Sequence, residues 1–194
     1  MEAASQVLRV GDFVDASLCE QMRNRYRGGE PALVTRANGV TSVDERSRRT
    51  LSVDADWESL AELEPRLTQL RPQLEQQFKT PLRGFQHPHF LCYRPGDFFR
   101  AHLDNADDPR QPNEIRARRV AVVLFLNGQS TRASPDTYRG GELVFYNPAA
   151  TSPEQCRVAL RGQQGLLVAF ASSHLHEVLP VLQGQRFTIV TWFF

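Results

Sequence analysis

The sequence has almost no net charge, no long apolar run and no recognisable leader segment. Its 194 residues carry a formal net charge of +1, so no strong electrostatic field directs the protein towards nucleic acid or an anionic membrane. No apolar run approaches the roughly 20 residues of a membrane-spanning helix. The first residues, MEAASQVLRVGDF, lack the basic and apolar regions of a signal peptide. We therefore expect a cytoplasmic protein without a nucleic-acid or membrane partner.

Cysteine is also scarce. The three cysteines, Cys19, Cys92 and Cys156, are far apart and form no CxxC pair. An odd number of widely spaced cysteines predicts reduced thiols, as in cytoplasmic proteins. The same spacing argues against a cysteine-based zinc site.

The overall composition, with 41% apolar and 23% charged residues, is that of one globular domain over residues 1–194. Residues 1–80 are predicted to be a helical support region, with helices at 15–27 and at about 56–78. The second helix has an apolar stripe of leucines at spacings of three and four. We expect Pro65 to divide it into two helices, because an interior proline lacks the required N–H. Residues 37–49 are predicted to be an exposed loop.

Residues 81–194 change in character to short apolar runs separated by turns. The eight runs are HFLCY, FFRAHLD, RVAVVLFLN, ELVFY, CRVAL, GLLVAF, HEVLPV and FTIVTWFF. About eight strands predict a mainly β sandwich or jelly roll, with the N-terminal helices packed on one sheet. The polar segments 105–118 and 128–141 are long for simple connections and indicate a lid or a binding loop.

The first candidate site residues are His102 and Asp104 in the segment HLD. Residues two apart on a strand point to the same face, as two ligands of one metal must. The pattern alone is weak, and a solvated strand end is its ordinary alternative. A third ligand would come from the pair just upstream, His87 and His89, or from His174 or His176 in HLH. Two histidines with one carboxylate form the facial triad of non-haem Fe(II) oxygenases. Whether HLD and HLH meet in space stays open at this point.

Arg186 follows His176 by ten residues, with Gly184 marking a turn between them. We expect an antiparallel hairpin that returns Arg186 beside the strand carrying His176. A bidentate arginine at this position suits the far carboxylate of a dicarboxylate cosubstrate.

From about Phe85 to Phe194 the chain resembles the 2-oxoglutarate/Fe(II)-dependent dioxygenases, in particular the prolyl 4-hydroxylase-like group. The resemblance is carried by a tyrosine before a glycine turn, HxD, an R…LN strand, GGEL, H-x-V-x-P-V-x-x-G-x-R and a terminal tryptophan. In this sequence they are Tyr93 to Gly96, His102 to Asp104, Arg119 to Asn127, Gly140 to Leu143, His176 to Arg186, and Trp192.

The resemblance implies a double-stranded β-helix, a jelly-roll fold like that of the cupins, in which His102, Asp104 and His176 bind Fe(II). Arg186 would pair with the distal carboxylate of 2-oxoglutarate, Tyr93 would line the cosubstrate pocket, and Trp192 would pack behind the site. The implied cofactors are Fe(II), 2-oxoglutarate and O2, with ascorbate to keep the iron reduced. Many relatives carry a tyrosine where this chain has Phe125, and Thr188 is a candidate for the missing hydroxyl.

The resemblance implies hydroxylation of a prolyl residue in a peptide or protein, with release of succinate and CO2. A free amino acid or another small molecule is the alternative substrate, since the two long loops suit either a peptide groove or a lid. A non-catalytic cupin-like metal-binding module is a lower-ranked alternative. Nucleic-acid dealkylation also ranks low, because the chain ends without that group's second arginine. The sequence does not determine the oligomeric state.

Overall fold

The computed structural model describes residues 7–26, 28–35, 38–147 and 156–194. Three helices lie among them, namely α1 (Ala16–Arg25), α2 (Trp57–Phe78) and α3 (Asn113–Ala117). The other elements are strands, as the eight apolar runs predicted. In chain order they are β1 (Val7–Val10), β2 (Glu30–Pro31), β3 (Leu33–Thr35), β4 (Thr41–Val43), β5 (Arg48–Arg49), β6 (Leu51–Asp54), β7 (His89–Tyr93), β8 (Phe98–His102), β9 (Val120–Phe125), β10 (Gly128–Gln129), β11 (Thr137–Gly140), β12 (Leu143–Tyr146), β13 (Arg157–Leu160), β14 (Leu167–Ala171), β15 (His176–Val178), β16 (Val181–Gln183) and β17 (Arg186–Phe193).

Two facing sheets form the double-stranded β-helix. The major sheet has seven strands in the order β1-β14-β9-β17-β7-β6-β2, and the minor sheet has five in the order β13-β12-β15-β8-β5. Within both sheets neighbouring strands run antiparallel. A three-stranded sheet, β10-β11-β16, and the ribbon β3-β4 complete the architecture.

Helix α2 is continuous, so the expected division at Pro65 is wrong. It runs from Trp57 to Phe78 with both Pro65 and Pro72 inside it. Both prolines are exposed, so water can bond the carbonyl groups that each proline leaves without an N–H donor. The opposite face buries a leucine stripe against the major sheet, formed by Leu63, Leu67, Leu70 and Leu74. In the described parts of the chain no helix is both long and apolar enough to cross a bilayer.

The first 80 residues contribute strands as well as helices. Strand β1 pairs with β14, and β6 pairs with β7, so both extend the major sheet. The segment predicted as an exposed loop, in its described part 38–49, contains β4 and β5, and β5 pairs with β8 in the minor sheet. The loops at 105–118 and 128–141 likewise hold α3 and the strands β10 and β11.

Alternation along the central strands separates two apolar cores. On β9, Val120, Val122 and Leu124 face the helices, whereas Ala121, Val123 and Phe125 face the interior between the two sheets. This is the two-residue period of a strand buried on both faces. The interior between the sheets is the side on which the predicted site residues lie.

Candidate active site

The structure brings HLD and HLH together. His102 ends β8 and His176 begins β15, and the two residues lie directly opposite each other in the antiparallel pairing of these strands. Asp104 follows two residues after His102, where its backbone N–H donates to the Ser172 carbonyl at 2.9 Å. The three side chains therefore converge, as a shared metal ion would require.

The ligand atoms of His102, Asp104 and His176 all lie within 4.8 Å of one another. The two Nε2 atoms are 3.5 Å and 3.6 Å from the two Asp104 carboxylate oxygens. Each Nδ1 is 2.8 Å from a backbone carbonyl oxygen, that of Arg100 for His102 and that of His174 for His176. Because a carbonyl only accepts, each Nδ1 carries the proton and each Nε2 presents a lone pair to the shared space, as a metal ligand needs.

Electrostatics also favour a cation among these side chains. Burial lowers the pKa of His176 to about 4, although the Asp104 carboxylate opposes this shift. Burial raises the pKa of Asp104, but His176 and His102 lower it by more, so the net shift is downward. A neutral imidazole next to an ionised carboxylate is the protonation state of a metal-binding pair.

Of the other histidines, none joins the cluster. His174 is buried with its Nε2 3.1 Å from the Tyr146 carbonyl oxygen, and His87 makes a similar contact with the Ala55 carbonyl. His89 Nδ1 lies 2.8 Å from a carboxylate oxygen of Asp54, and the residue faces the cavity described below.

Arg186 reaches the interior from the opposite sheet, so the expected hairpin beside His176 is wrong. Strand β17, which Arg186 begins, pairs with β7 and β9, whereas β15 pairs with β12 and β8. The guanidinium is almost fully buried, lies over the rings of Tyr93 and Phe125 at 5.0 and 4.9 Å, and donates to Thr188 Oγ1 at 3.3 Å. No described carboxylate forms an ion pair with it, so a buried cation is left that an anionic ligand would neutralise.

A single cavity of about 740 Å³ links the two halves of the site. Its lining includes every site residue named from the sequence, that is, Tyr93, His102, Asp104, His176, Arg186, Thr188 and Trp192. A metal-binding triad and a buried guanidinium thus open onto the same space from opposite sheets.

The model of the 2OG-Fe(II) oxygenase superfamily matches residues 88–194, which include all of these side chains. The chain belongs to this superfamily. The family's cofactors are ferrous iron and 2-oxoglutarate, with O2 as co-reactant, and the donor set fits them. Two imidazoles and a carboxylate form an Fe(II) facial triad, and Arg186 matches a dicarboxylate.

Several known proteins are similar to this chain. A PKHD-type hydroxylase of Shewanella baltica is 35% identical over 108 residues, which are 56% of this chain and 42% of the relative. One of Saccharophagus degradans is 32% identical over 114 residues, 58% of this chain and 44% of the relative. The chain thus spans less than half the length of these curated relatives.

Solved structures share the fold. A Pseudomonas putida prolyl-4-hydroxylase is 26% identical with a TM-score of 0.72, covering 98% of this chain and 93% of that chain. A Trichoplax adhaerens prolyl hydroxylase, in complex with a peptide fragment from the oxygen degradation domain of hypoxia inducible factor, gives a TM-score of 0.69 at 21% identity. That match covers 99% of this chain and 84% of the other.

Arg118 is a residue of the oxygenase site that the sequence did not reveal. Its guanidinium lies 3.6 Å from the centre of the Trp192 ring, and its Nη1 donates to the Asp104 backbone carbonyl at 3.2 Å. The polar segments 105–118 and 128–141 hold four other arginines, and all four are exposed, namely Arg110, Arg116, Arg132 and Arg139. No pattern in the chain distinguishes Arg118 from them.

Proposed function

We propose that the chain is an Fe(II)- and 2-oxoglutarate-dependent hydroxylase that acts on a prolyl residue of a peptide or protein. The observation that carries the proposal is the convergence of the triad and Arg186 on one cavity from opposite sheets. A metal-binding module without cosubstrate would need the triad but would have no use for a buried, unpaired guanidinium.

In this proposal His102, Asp104 and His176 hold Fe(II) through their cavity-facing atoms. Arg186, with Thr188, binds the distal carboxylate of 2-oxoglutarate, and Tyr93 packs against the guanidinium. Bound iron with 2-oxoglutarate and O2 supplies the oxidising chemistry for an unactivated C–H bond and yields succinate and CO2. Trp192 and Arg118 close the side of the site next to Asp104 and keep bulk water from that carboxylate.

The form of the cavity supports a peptide substrate. It extends from the triad past the ribbon β3-β4, whose residues Leu33, Val34, Thr35 and Thr41 belong to its lining. Leu33 and Val43 expose about half of their surfaces on this ribbon, so apolar surface lies next to the opening. An extended segment presenting an apolar prolyl ring suits such a surface. The similarity to the Pseudomonas and Trichoplax prolyl hydroxylases also supports a prolyl substrate.

An anaerobic titration tests the cofactor assignment. Fe(II) and 2-oxoglutarate added together should give the weak metal-to-ligand absorption band of the chelated keto acid. Arg186→Gln should retain Fe(II) and shift the 2-oxoglutarate titration by about tenfold or more, because a hydrogen-bonded charge pair is lost. Arg66→Gln, which removes a surface pair with Glu62, is the matched control and should titrate like the wild type. A silent spectrum in the wild type would instead favour a metal-binding module.

The substrate requires a separate experiment. The loaded chain is incubated with a panel of prolyl peptides and free amino acids, and products are read by mass spectrometry for added oxygen alongside succinate release. Oxygen gain on a prolyl residue supports the proposal. Oxygen gain confined to free amino acids would reassign the substrate to small molecules.

A further inference from the structure

Tyr138 is a buried side chain of the barrel interior with no assigned role. It lies on β11, within the segment 128–141, and its side chain is fully buried. Among the described residues neither its hydroxyl nor Nε of Arg186 makes a hydrogen bond of normal geometry, although the guanidinium of Arg186 and the backbone of Gly162 lie next to the phenol. A buried polar group without a partner costs free energy, so such a group calls for a ligand or a function.

The two polar groups belong to neighbouring side chains. A Cβ placed on Gly141 would lie 3.1 Å from Cδ of Arg186 and 3.4 Å from Cε2 of Tyr138, so both side chains contact the same glycine. Arg186 is also the charged group that acts most strongly on the phenol. Burial raises the pKa of Tyr138, and the adjacent guanidinium opposes that shift.

A second glycine makes room for the hydroxyl itself. A Cβ on Gly162 would lie 2.1 Å from the Tyr138 hydroxyl oxygen and 2.4 Å from Cδ1 of Phe125. Any other residue at position 162 would displace the phenol from its place next to Arg186. Phe125, whose ring packs at the same point, offers no hydroxyl of its own.

We infer that Tyr138 is a positioning residue for the cosubstrate, whose hydroxyl holds the Arg186 guanidinium in place for the distal carboxylate of 2-oxoglutarate. In this chain β11 thus provides the hydroxyl that position 125 on β9 lacks. Thr188 contacts Nη1 from the cavity side, and Tyr138 supports the guanidinium from behind, since Tyr138 is absent from the cavity lining. The inference rests on the proposed use of 2-oxoglutarate.

Direct binding measures this role without turnover. The full chain is loaded anaerobically with Mn(II) in place of iron, and 2-oxoglutarate binding is followed by calorimetry for the wild type and Tyr138→Phe. The variant should bind 2-oxoglutarate about ten- to a hundredfold more weakly, because the phenol oxygen can no longer accept a hydrogen bond from the guanidinium when the cosubstrate is bound. Thermal unfolding of the chain without cosubstrate should change little, because the removed hydroxyl makes no hydrogen bond of normal geometry in the described structure.

Two controls separate positioning from a merely structural effect. 2-Oxopentanoate has a methyl group in place of the distal carboxylate, so Tyr138→Phe should bind it as the wild type does. Tyr26→Phe removes another buried hydroxyl, on a ring that packs on Phe187 in the core between the helices and the major sheet. That variant should bind 2-oxoglutarate normally.

Each other outcome has a definite meaning. Equal 2-oxoglutarate affinity in Tyr138→Phe and the wild type would overturn the inference and leave the proposed function standing. An equal loss for both ligands, or the same loss in Tyr26→Phe, would assign Tyr138 to packing alone. A wild type that binds no 2-oxoglutarate in the presence of Mn(II) would remove the proposed function and this inference with it.

Discussion

At the scale of single residues, the triad depends on backbone carbonyls as much as on its own side chains. The carbonyls of Arg100 and His174 set the tautomers of His102 and His176, each from two residues earlier in the chain. The residue two positions before each histidine, Arg100 on β8 and His174 in HLH, therefore orients the imidazole. Phe99 stacks on His102 at 3.4 Å between ring centres and restricts its rotation further.

Replacing Asp104 with alanine should abolish metal binding and turnover together. We expect the Mn(II) affinity to fall by more than about a hundredfold, because losing a direct ligand costs more than losing a group that supports one. Free Mn(II) measured by electron paramagnetic resonance, and succinate release with iron, are the two readouts. Asp108→Ala is the control, since Asp108 pairs with Arg110 in the exposed part of the same loop. Normal succinate release by Asp104→Ala would refute the assignment.

Sequence reasoning could find residues whose spacing is itself the signal. His102, Asp104, His176 and Arg186 belong to a motif with fixed intervals, and the structure brings them to one cavity. Arg118 and Tyr138 were not predicted, because their roles depend on contacts across the fold. Stacking on Trp192 and proximity to Gly162 are not encoded by any local interval.

At the scale of elements, the strand period predicted which face a residue occupies but not which strands pair. The alternation on β17 correctly put Arg186 and Thr188 on one face, and both lie in the interior. The expected hairpin between the strands of His176 and Arg186 does not form, because a short turn at Gly184 does not require the strands on either side to pair. Strand β17 instead crosses to the major sheet between β7 and β9. Pairing of this kind depends on closure of the whole barrel.

Helix α2 offers a test of local propensity against packing. Pro65 is exposed and Leu67 is buried on the opposite face. Pro65→Ala should therefore stabilise the chain, by about 1–3 kcal/mol, because it restores a helix N–H and removes the ring clash. Leu67→Ala should destabilise it by about 2–5 kcal/mol through a core cavity. Urea unfolding measures both, and a destabilised Pro65→Ala variant would show that the proline has a packing role.

At the scale of the whole molecule, the major sheet serves two cores at once. Its outer face packs on α1 and α2, and its inner face builds the cavity with the minor sheet. The composition and strand count predicted this layering, including the helices on one sheet. Strands β1 and β6 of the major sheet were not predicted, because VLRV and LSVD are short and only partly buried. Strands of this length carry little periodic signal.

The core between the helices and the major sheet also makes the free energy of unfolding depend on pH in the alkaline range. Burial raises the pKa of Cys19 and of Cys92 to about 11, and that of Tyr26 to about 12. Unfolding returns these groups to their ordinary values, so between about pH 9 and 11 the folded state binds more protons than the unfolded state. The free energy of unfolding should therefore be unaffected by these groups below about pH 8 and fall as the pH rises through that window.

Cysteine variants isolate this effect from the other groups that titrate at high pH. Cys19→Ala should reduce the slope of stability against pH between 9 and 11, even though the lost packing lowers stability at every pH. Cys156→Ala, which changes a half-buried thiol outside both apolar cores, should keep the wild-type slope. Urea midpoints at half-unit steps of pH give the slopes. Parallel curves for the wild type and Cys19→Ala would mean that the thiol ionises without unfolding, and that the packing of α1 on the sheet admits water at alkaline pH.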